Sequence, residues 1–222
     1  MVFIKRINAA WGIFLALSAG VLSAQMPVTV PLQTEARLPL SQAQEAEGCI
    51  DRACQWLKTK PQPKDRGQML VRRYAETPAD GLFQVAPCDR TPLEQILKKT
   101  AEAATEEMET TRRAAEKAHQ GEAPFVWTFA DALTVAAKKP SRLFAFQAAL
   151  RPEASTPPDW RLQIALALVT SQQIDAEGGH WGDAESTVWA VLTLRSMLGR
   201  SAEIYYITPC PMPMSMPPKR GK

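Results

Sequence analysis

The stretch QQIDAEGGHWGDAESTVWAVLTLRSM, residues 172–197, decides how this chain is read. Two glutamines close an apolar run, a glycine-rich turn carries His180 and Trp181, and a helix rich in alanine and valine follows. Asp183 stands where an N-cap belongs, and Gly199 follows Leu198 where a left-handed residue would close the helix. The glycines open backbone conformations closed to other residues, and an indole can pack across the turn. The pattern predicts a helical hairpin with firmly marked ends.

Working upstream, Thr156-Pro157-Pro158-Asp159 is a cap-plus-proline device that opens the helix WRLQIALALVTSQQ. That helix is hydrophobic nearly all round, so it is expected to be central and buried. Residues 127–139 and 141–151 read as two short helices split by Pro140, with Phe129, Leu133, Leu143, Phe144 and Phe146 as core anchors. Thr91-Pro92-Leu93-Glu94 has the form of a capped start, for a long helix running to Gly121. Its seam of small residues faces inward, and its outer side carries Glu94–Lys98 and Glu109–Arg113 pairs. Helical periodicity also runs from about Ala43 to the stop at Pro61, and again over residues 67–77. Residues 78–90 read as a loop containing Cys88. The run EIYYIT is β-prone but has no obvious partner. The fold class expected is all-α, built from antiparallel helical hairpins.

The rest of the chain bounds location and class. It has 222 residues, 45% of them hydrophobic, which suits one domain with tails. Net charge is +3 without a concentrated basic patch, so no nucleic-acid partner is expected. Eighteen prolines against eleven glycines punctuate the sequence rather than fill it. Residues 1–24 combine basic Lys5 and Arg6, an apolar run from Ala9 to Leu22 and small residues to Ala24. That is a Sec-type signal peptide, too short for the roughly 20 apolar residues that span a bilayer. The chain is therefore expected to be secreted or periplasmic, touching the membrane only through this segment before cleavage. Residues 25–42 read as an extended arm or linker, residues 43–207 as the helical domain, and residues 208–222 as a Pro/Met-rich disordered tail.

Gln173, Gly179 and Trp181, followed by the small and branched helix from Ser186 to Leu194, resemble one repeat of the α/α-toroid proteins. These are the squalene and terpenoid cyclases and the protein prenyltransferases. The resemblance covers residues 158–199 and departs from the family pattern at Leu168, where an aromatic residue is expected. It implies a partial α/α toroid or a helical-repeat arc. Gln120 before Trp127, and Gln62 before Gly67 and Met69, read as weaker copies spaced by about 55 residues. A toroid enzyme acting on lipid or glycan would need a cavity near Trp127, Asp131, Trp189 and Thr193. The family's acidic Asp-x-Asp-Asp run and its Asp, Cys and His zinc set are both missing from the sequence.

Asp175, Glu177, His180, Trp181, Asp183 and Glu185 cluster around the turn and form the candidate binding group; no catalytic residue is assigned. Gln173, Gly179 and Trp181 form a structural motif, the amide serving orphaned backbone groups at a helix end while the indole packs. Four cysteines, Cys49, Cys54, Cys88 and Cys210, suit disulfides in an oxidising compartment. Cys49 and Cys54 on one helix would point apart, so long-range bridges to Cys88 and Cys210 are expected. The soft ligands Cys210, Met212, Met214 and Met216 alternate along the tail and could hold Cu(I), the one cofactor considered. The motifs stabilise hairpins more than they do chemistry. The function expected is that of an exported helical-repeat protein that binds or scaffolds a protein partner in the cell envelope.

Overall fold

The structure, a computed structural model, describes residues 38–121, 124–150 and 156–207. Helix α1 (Leu40–Thr59) begins inside the segment expected to be an extended arm and ends before Pro61. Helix α2 (Arg66–Glu76) starts at Asp65, whose carboxylate accepts from the Gln68 N–H at 2.9 Å. Strand β1 (Leu82–Val85) then leads into α3 (Pro87–Ala118). Helix α4 (Phe129–Ala136) is opened by a reciprocal capping box between Thr128 and Asp131, and α5 (Pro140–Ala149) has its proline at the first position. Helix α6 (Trp160–Ser171) is followed by the strands β2 (Gln173–Asp175) and β3 (Gly178–His180). Helix α7 (Ala184–Leu198) and strand β4 (Glu203–Tyr206) complete the order. The protein is mostly helical, as expected, and none of the described helices is long and apolar enough to cross a membrane.

Helix α7 is the central element. Every side chain from Thr187 to Arg195 is buried, and Met197 with them. It packs against α1, α2, α5 and α6. The expectation that α6 would be the buried centre is corrected here. Helix α6 buries one face through Ile164, Ala165 and Leu168, while Leu166 is 38% exposed. An apolar helix is not necessarily enclosed; it needs neighbours on every side, and only α7 has them.

Two arginines hold the interior together by serving helix ends. Arg72, buried on α2, donates to the carbonyls of Leu57, Lys60 and Pro61 and pairs with Glu76 at 2.9 Å. Those carbonyls lie in the last turn of α1 and just past it, where backbone donors run short (only Leu57 also receives one, the Lys60 N–H at 3.0 Å), so a buried guanidinium is fully employed there. Arg195 on α7 donates in the same way to the carbonyl of Thr77, the C-cap of α2.

The α3 start differs from the capped start expected at Thr91. The helix begins at Pro87, so Cys88 lies in its first turn and Pro92 sits inside it. Pro92 is the sixth residue of the helix, so it gives up the one ladder bond that an N–H there would make to the Cys88 carbonyl. Leu93 and Ala104 are buried, with Leu97 and Met108 packed against the core, but the seam does not continue inward to Ala118, which is exposed. Glu109 pairs with Arg113 as expected, whereas Glu94 pairs with Arg90 instead of Lys98.

Sheet structure, which the sequence reading did not anticipate, appears twice among the described residues. Strands β2 and β3 form an antiparallel hairpin inside the glycine-rich turn. Strands β1 and β4 pair in parallel, Leu82 with Glu203 through Val85 with Tyr206. The partner of EIYYIT thus lies on the far side of the sequence, across the five helices α3 to α7. Parallel strands require a crossover, and here the crossover is most of the domain.

Candidate functional site

The candidate group is built on the β2–β3 hairpin, which lies across α1. Asp175 closes its two-residue turn by accepting from the N–H groups of Glu177 (2.8 Å) and Gly178 (3.0 Å), an Asx-type turn. Gly178 has φ of 141°, and a Cβ there would stand 2.5 Å from the Arg52 carbonyl and 3.1 Å from the Trp56 nitrogen. Glycine is therefore required twice over, for its backbone conformation and for the close approach of hairpin to helix. Once the hairpin lies so near, Trp56 Nε1 donates to Asp175 Oδ2 at 3.1 Å, and the His180 ring stacks on Trp56 with centroids 4.7 Å apart.

His180 is held at both ring nitrogens. Nδ1 accepts from the Gly182 N–H at 3.0 Å, which assigns the proton to Nε2, 3.3 Å from Asp175 Oδ2. Burial works against ionisation of Asp175. The N–H donors of Glu177, Trp56 and Gly178, with the electrostatic influence of the nearby His180 ring, outweigh it and hold the carboxyl below the usual range. Glu177 pairs with Lys60 and accepts from Thr59 at 3.2 Å, which lowers its carboxyl likewise. Lys60 also lies over the Trp56 ring, 4.4 Å from its centroid. Chemically this is a clasp. Its donors and acceptors face each other and fasten hairpin to helix.

The glutamine of the motif is displaced by one position. Gln173 is exposed on β2 and pairs its backbone with His180. Gln172 is the working amide: its Oε1 accepts from Arg52 Nε (3.1 Å) and Nη2 (2.9 Å), and its Nε2 donates to the Cys49 carbonyl at 2.9 Å. Gly179 is buried beneath it, and a Cβ there would meet that amide at 2.6 Å. Trp181 performs as expected. It is buried, its Nε1 donates to the Leu168 carbonyl at 2.9 Å, and its N–H donates to Thr187 Oγ1 at 3.1 Å. The indole thus joins the end of α6 to the beginning of α7.

Asp183 and Glu185 belong elsewhere. Asp183 caps α7 by accepting from the Ser186 N–H at 2.7 Å, and Glu185 lies exposed in the first turn. Both face a cavity of about 390 Å³ between the α1–α2 connection, α2, α3 and the start of α7. Pro61, Pro63, Val71, Ile96, Val188 and Trp189 supply apolar walls, and Gln62 and Gln68 add amides. Among the described residues neither Asp183 nor Glu185 forms an ion pair, so the acidic lip is open. Arg72 borders the same cavity, but its charge is spent on Glu76 and the α1 carbonyls. The structure therefore divides the predicted cluster: Asp175, Glu177 and His180 form the clasp, Trp181 the joint, and Asp183 with Glu185 the lip of a groove.

Sequence reasoning missed the α1 half of the clasp. Cys49, Arg52, Trp56 and Lys60 follow one another at helical spacing of three and four, so they share a face. That stripe was the available signal. Of the residues named for a toroid cavity, Trp189 borders the groove, Thr193 is buried with its hydroxyl donating to the Trp189 carbonyl, and Asp131 is spent in the α4 cap.

Cys49, Cys54 and Cys88 carry free thiols, which corrects the bridges expected among them. Cys49 is beside Arg52, Cys54 is half-buried further along α1, and Cys88 stands at the start of α3 beside Arg66. Helix packing separates them. Cys210, Met212, Met214 and Met216, like the signal segment 1–24, lie outside the described residues. Among the described residues no group of three histidine, cysteine or acidic side chains could hold a metal ion. Compared with protein families, curated proteins and solved structures, the chain matches none.

Proposed function

We propose that this chain is an exported binding or scaffolding component of the cell envelope that takes a protein partner in the groove beside α7. One observation carries the reading: the groove combines apolar walls with an acidic lip that no cation neutralises among the described residues. The complementary partner is an extended peptide segment with apolar side chains and a Lys or Arg, which steers to the lip while the apolar groups leave water. The resemblance to toroid proteins enters this reading only as a description of one clasped hairpin, whose polar groups serve architecture.

The test uses two synthetic peptides of alternating leucine with arginine or with glutamate, titrated into the purified chain under reducing conditions. The arginine peptide is expected to bind more tightly, and Glu185→Lys to weaken it about tenfold, roughly 1.4 kcal/mol. Equal binding of the two peptides, or none, would overturn the proposal. Export is tested separately, by fusing residues 1–25 to a reporter that is active only outside the cytoplasm. A reporter left inactive removes the envelope from the proposal and leaves the groove.

A further inference from the structure

The β1–β4 ladder leaves its hydrogen bonding unfinished. The Glu203 N–H donates to the Gly81 carbonyl at 3.2 Å and the Ile207 N–H to the Val85 carbonyl at 3.0 Å, with Tyr205 opposite Gln84 between them. Backbone groups alternate sides along a strand. Glu203, Tyr205 and Ile207 therefore spend theirs on β1, while the N–H and C=O groups of Ile204 and Tyr206 point the other way. Among the described residues no strand lies beside them and none bonds to them. The side chains divide as well. Phe83, Val85, Ile204 and Tyr206 pack on the core, whereas Leu82 (49% exposed), Tyr205 and Ile207 (41% exposed) belong to an outer face. Parallel strands are ordinarily covered on both faces, and open edges are ordinarily guarded by Lys or Pro. Residues 203–207 contain neither.

We propose that β4 is a self-association edge, pairing antiparallel with β4 of a second copy about a twofold axis through Tyr205. In that register Ile204 faces Tyr206 of the second copy on each side of the axis. These are the residues with open backbone groups, so each pairing exchanges both bonds, as a hydrogen-bonded antiparallel pair requires. Tyr205 meets Tyr205 of the second copy at the intervening position, where side chains approach most closely and an aromatic pair is favourable. Glu203 faces Ile207. The two Glu203 carboxylates then stand about 14 Å apart along the strands, beyond the physiological screening length of about 8 Å.

Other arrangements are poorer. Moving the axis to Ile204 brings the Glu203 carboxylates to about 7 Å along the strands. It also sets Tyr206 against Ala202, whose carbonyl already accepts from the Tyr74 hydroxyl at 3.2 Å. On the open edge of β1 the axis would pass through Phe83, which is buried against Tyr74 with ring centroids 5.3 Å apart. Because each copy offers the same patch, the β4 pairing closes at a dimer.

The purified full chain, kept reduced, is followed by analytical ultracentrifugation from about 1 μM to about 300 μM, the range of small reversible interfaces. A monomer–dimer equilibrium is expected. Tyr205→Lys puts like charges at the axis and should weaken the dimer about tenfold, as should Tyr205→Glu. An equimolar mixture of the two variants should recover it, because lysine then faces glutamate. Ile207→Lys faces Glu203 of the second copy at both ends and should tighten the dimer about threefold. Circular dichroism and urea midpoints establish that each variant is folded, and Ile207→Lys carries the register test if the Tyr205 variants are not. A chain monomeric throughout, an association that Tyr205→Lys leaves unchanged, a mixture that stays monomeric, a dimer that Ile207→Lys fails to tighten, or open-ended oligomers would each overturn the proposal. Peptide binding in the groove stands or falls separately: Glu185→Lys should leave the dimer unchanged, and Tyr205→Lys the peptide affinity.

Discussion

The connection from α6 to α7 and the connection from α3 to α4 carry the same residues at nearly the same spacing, Gln173 before Trp181 and Gln120 before Trp127. Their structures have little in common. The first contains a β-hairpin seated on α1, and its tryptophan is buried with its N–H on the Leu168 carbonyl. In the second, Trp127 is half-buried against Phe125 and the core, and among the described residues its indole nitrogen has no polar partner. The difference lies in what each connection rests on. One has a helix backbone directly beneath it; the other ends in the Thr128–Asp131 box, which needs only its own helix.

That contrast sets the order of effects expected from substitution. Trp181→Ala should cost about 3–5 kcal/mol in urea unfolding, because it opens a cavity and leaves the Leu168 carbonyl with only the Ser171 hydroxyl as donor among the described residues. Trp127→Ala should cost about 1 kcal/mol. Equal costs would break the comparison and restore the two connections as true repeats. Next, Gly178→Ala should cost about 3 kcal/mol, since both its φ of 141° and the Arg52 carbonyl oppose a methyl group. Gly182 has φ of 86° but open space around it, so Gly182→Ala should cost about 1 kcal/mol. A smaller loss at Gly178 than at Gly182 would show that the hairpin can lift from α1.

The glutamines sharpen the point further. Gln172→Ala strips Arg52 of an acceptor and should cost about 2 kcal/mol, while Gln173→Ala should stay within about 0.5 kcal/mol. The reverse order would reinstate Gln173 as the motif residue. The smallest effect concerns acid. The Asp175 carboxyl is held below its ordinary range in the folded protein, so its contribution is complete above the ordinary value of 3.8 and is lost as pH falls through the folded value. Urea midpoints of wild type and Asp175→Asn should therefore differ at pH 6 and converge on acidification below about pH 4. A constant difference down to pH 2 would mean that the clasp does not depend on Asp175 charge.

Much of the helical frame was legible because its signals are local. Asp183 and Gly199 bracket α7 through hydrogen bonds to residues a few positions away, and Pro140 divides α4 from α5 by its missing donor. Local signals also misled at Thr91-Pro92. The capping pattern is sound there, but the chain has already entered the helix at Pro87. In the site, the cluster from Asp175 to Glu185 was visible as a group, yet its division into clasp and groove lip was not. The division depends on which side chains face α1 and which face α2 and α3.

The sequence by itself determined the mostly helical class, the ends of α7, and the importance of Trp181 and the glycines, all of which follow from short-range geometry and periodicity. Tertiary structure decided that α7 rather than α6 is the centre, that Gln172 rather than Gln173 serves α1, and that EIYYIT finds its partner in residues 82–85. Each of these choices turns on contacts between residues that are far apart in the chain. A one-residue shift in a strand reverses which face a side chain occupies, so only the assembled neighbours select between adjacent glutamines.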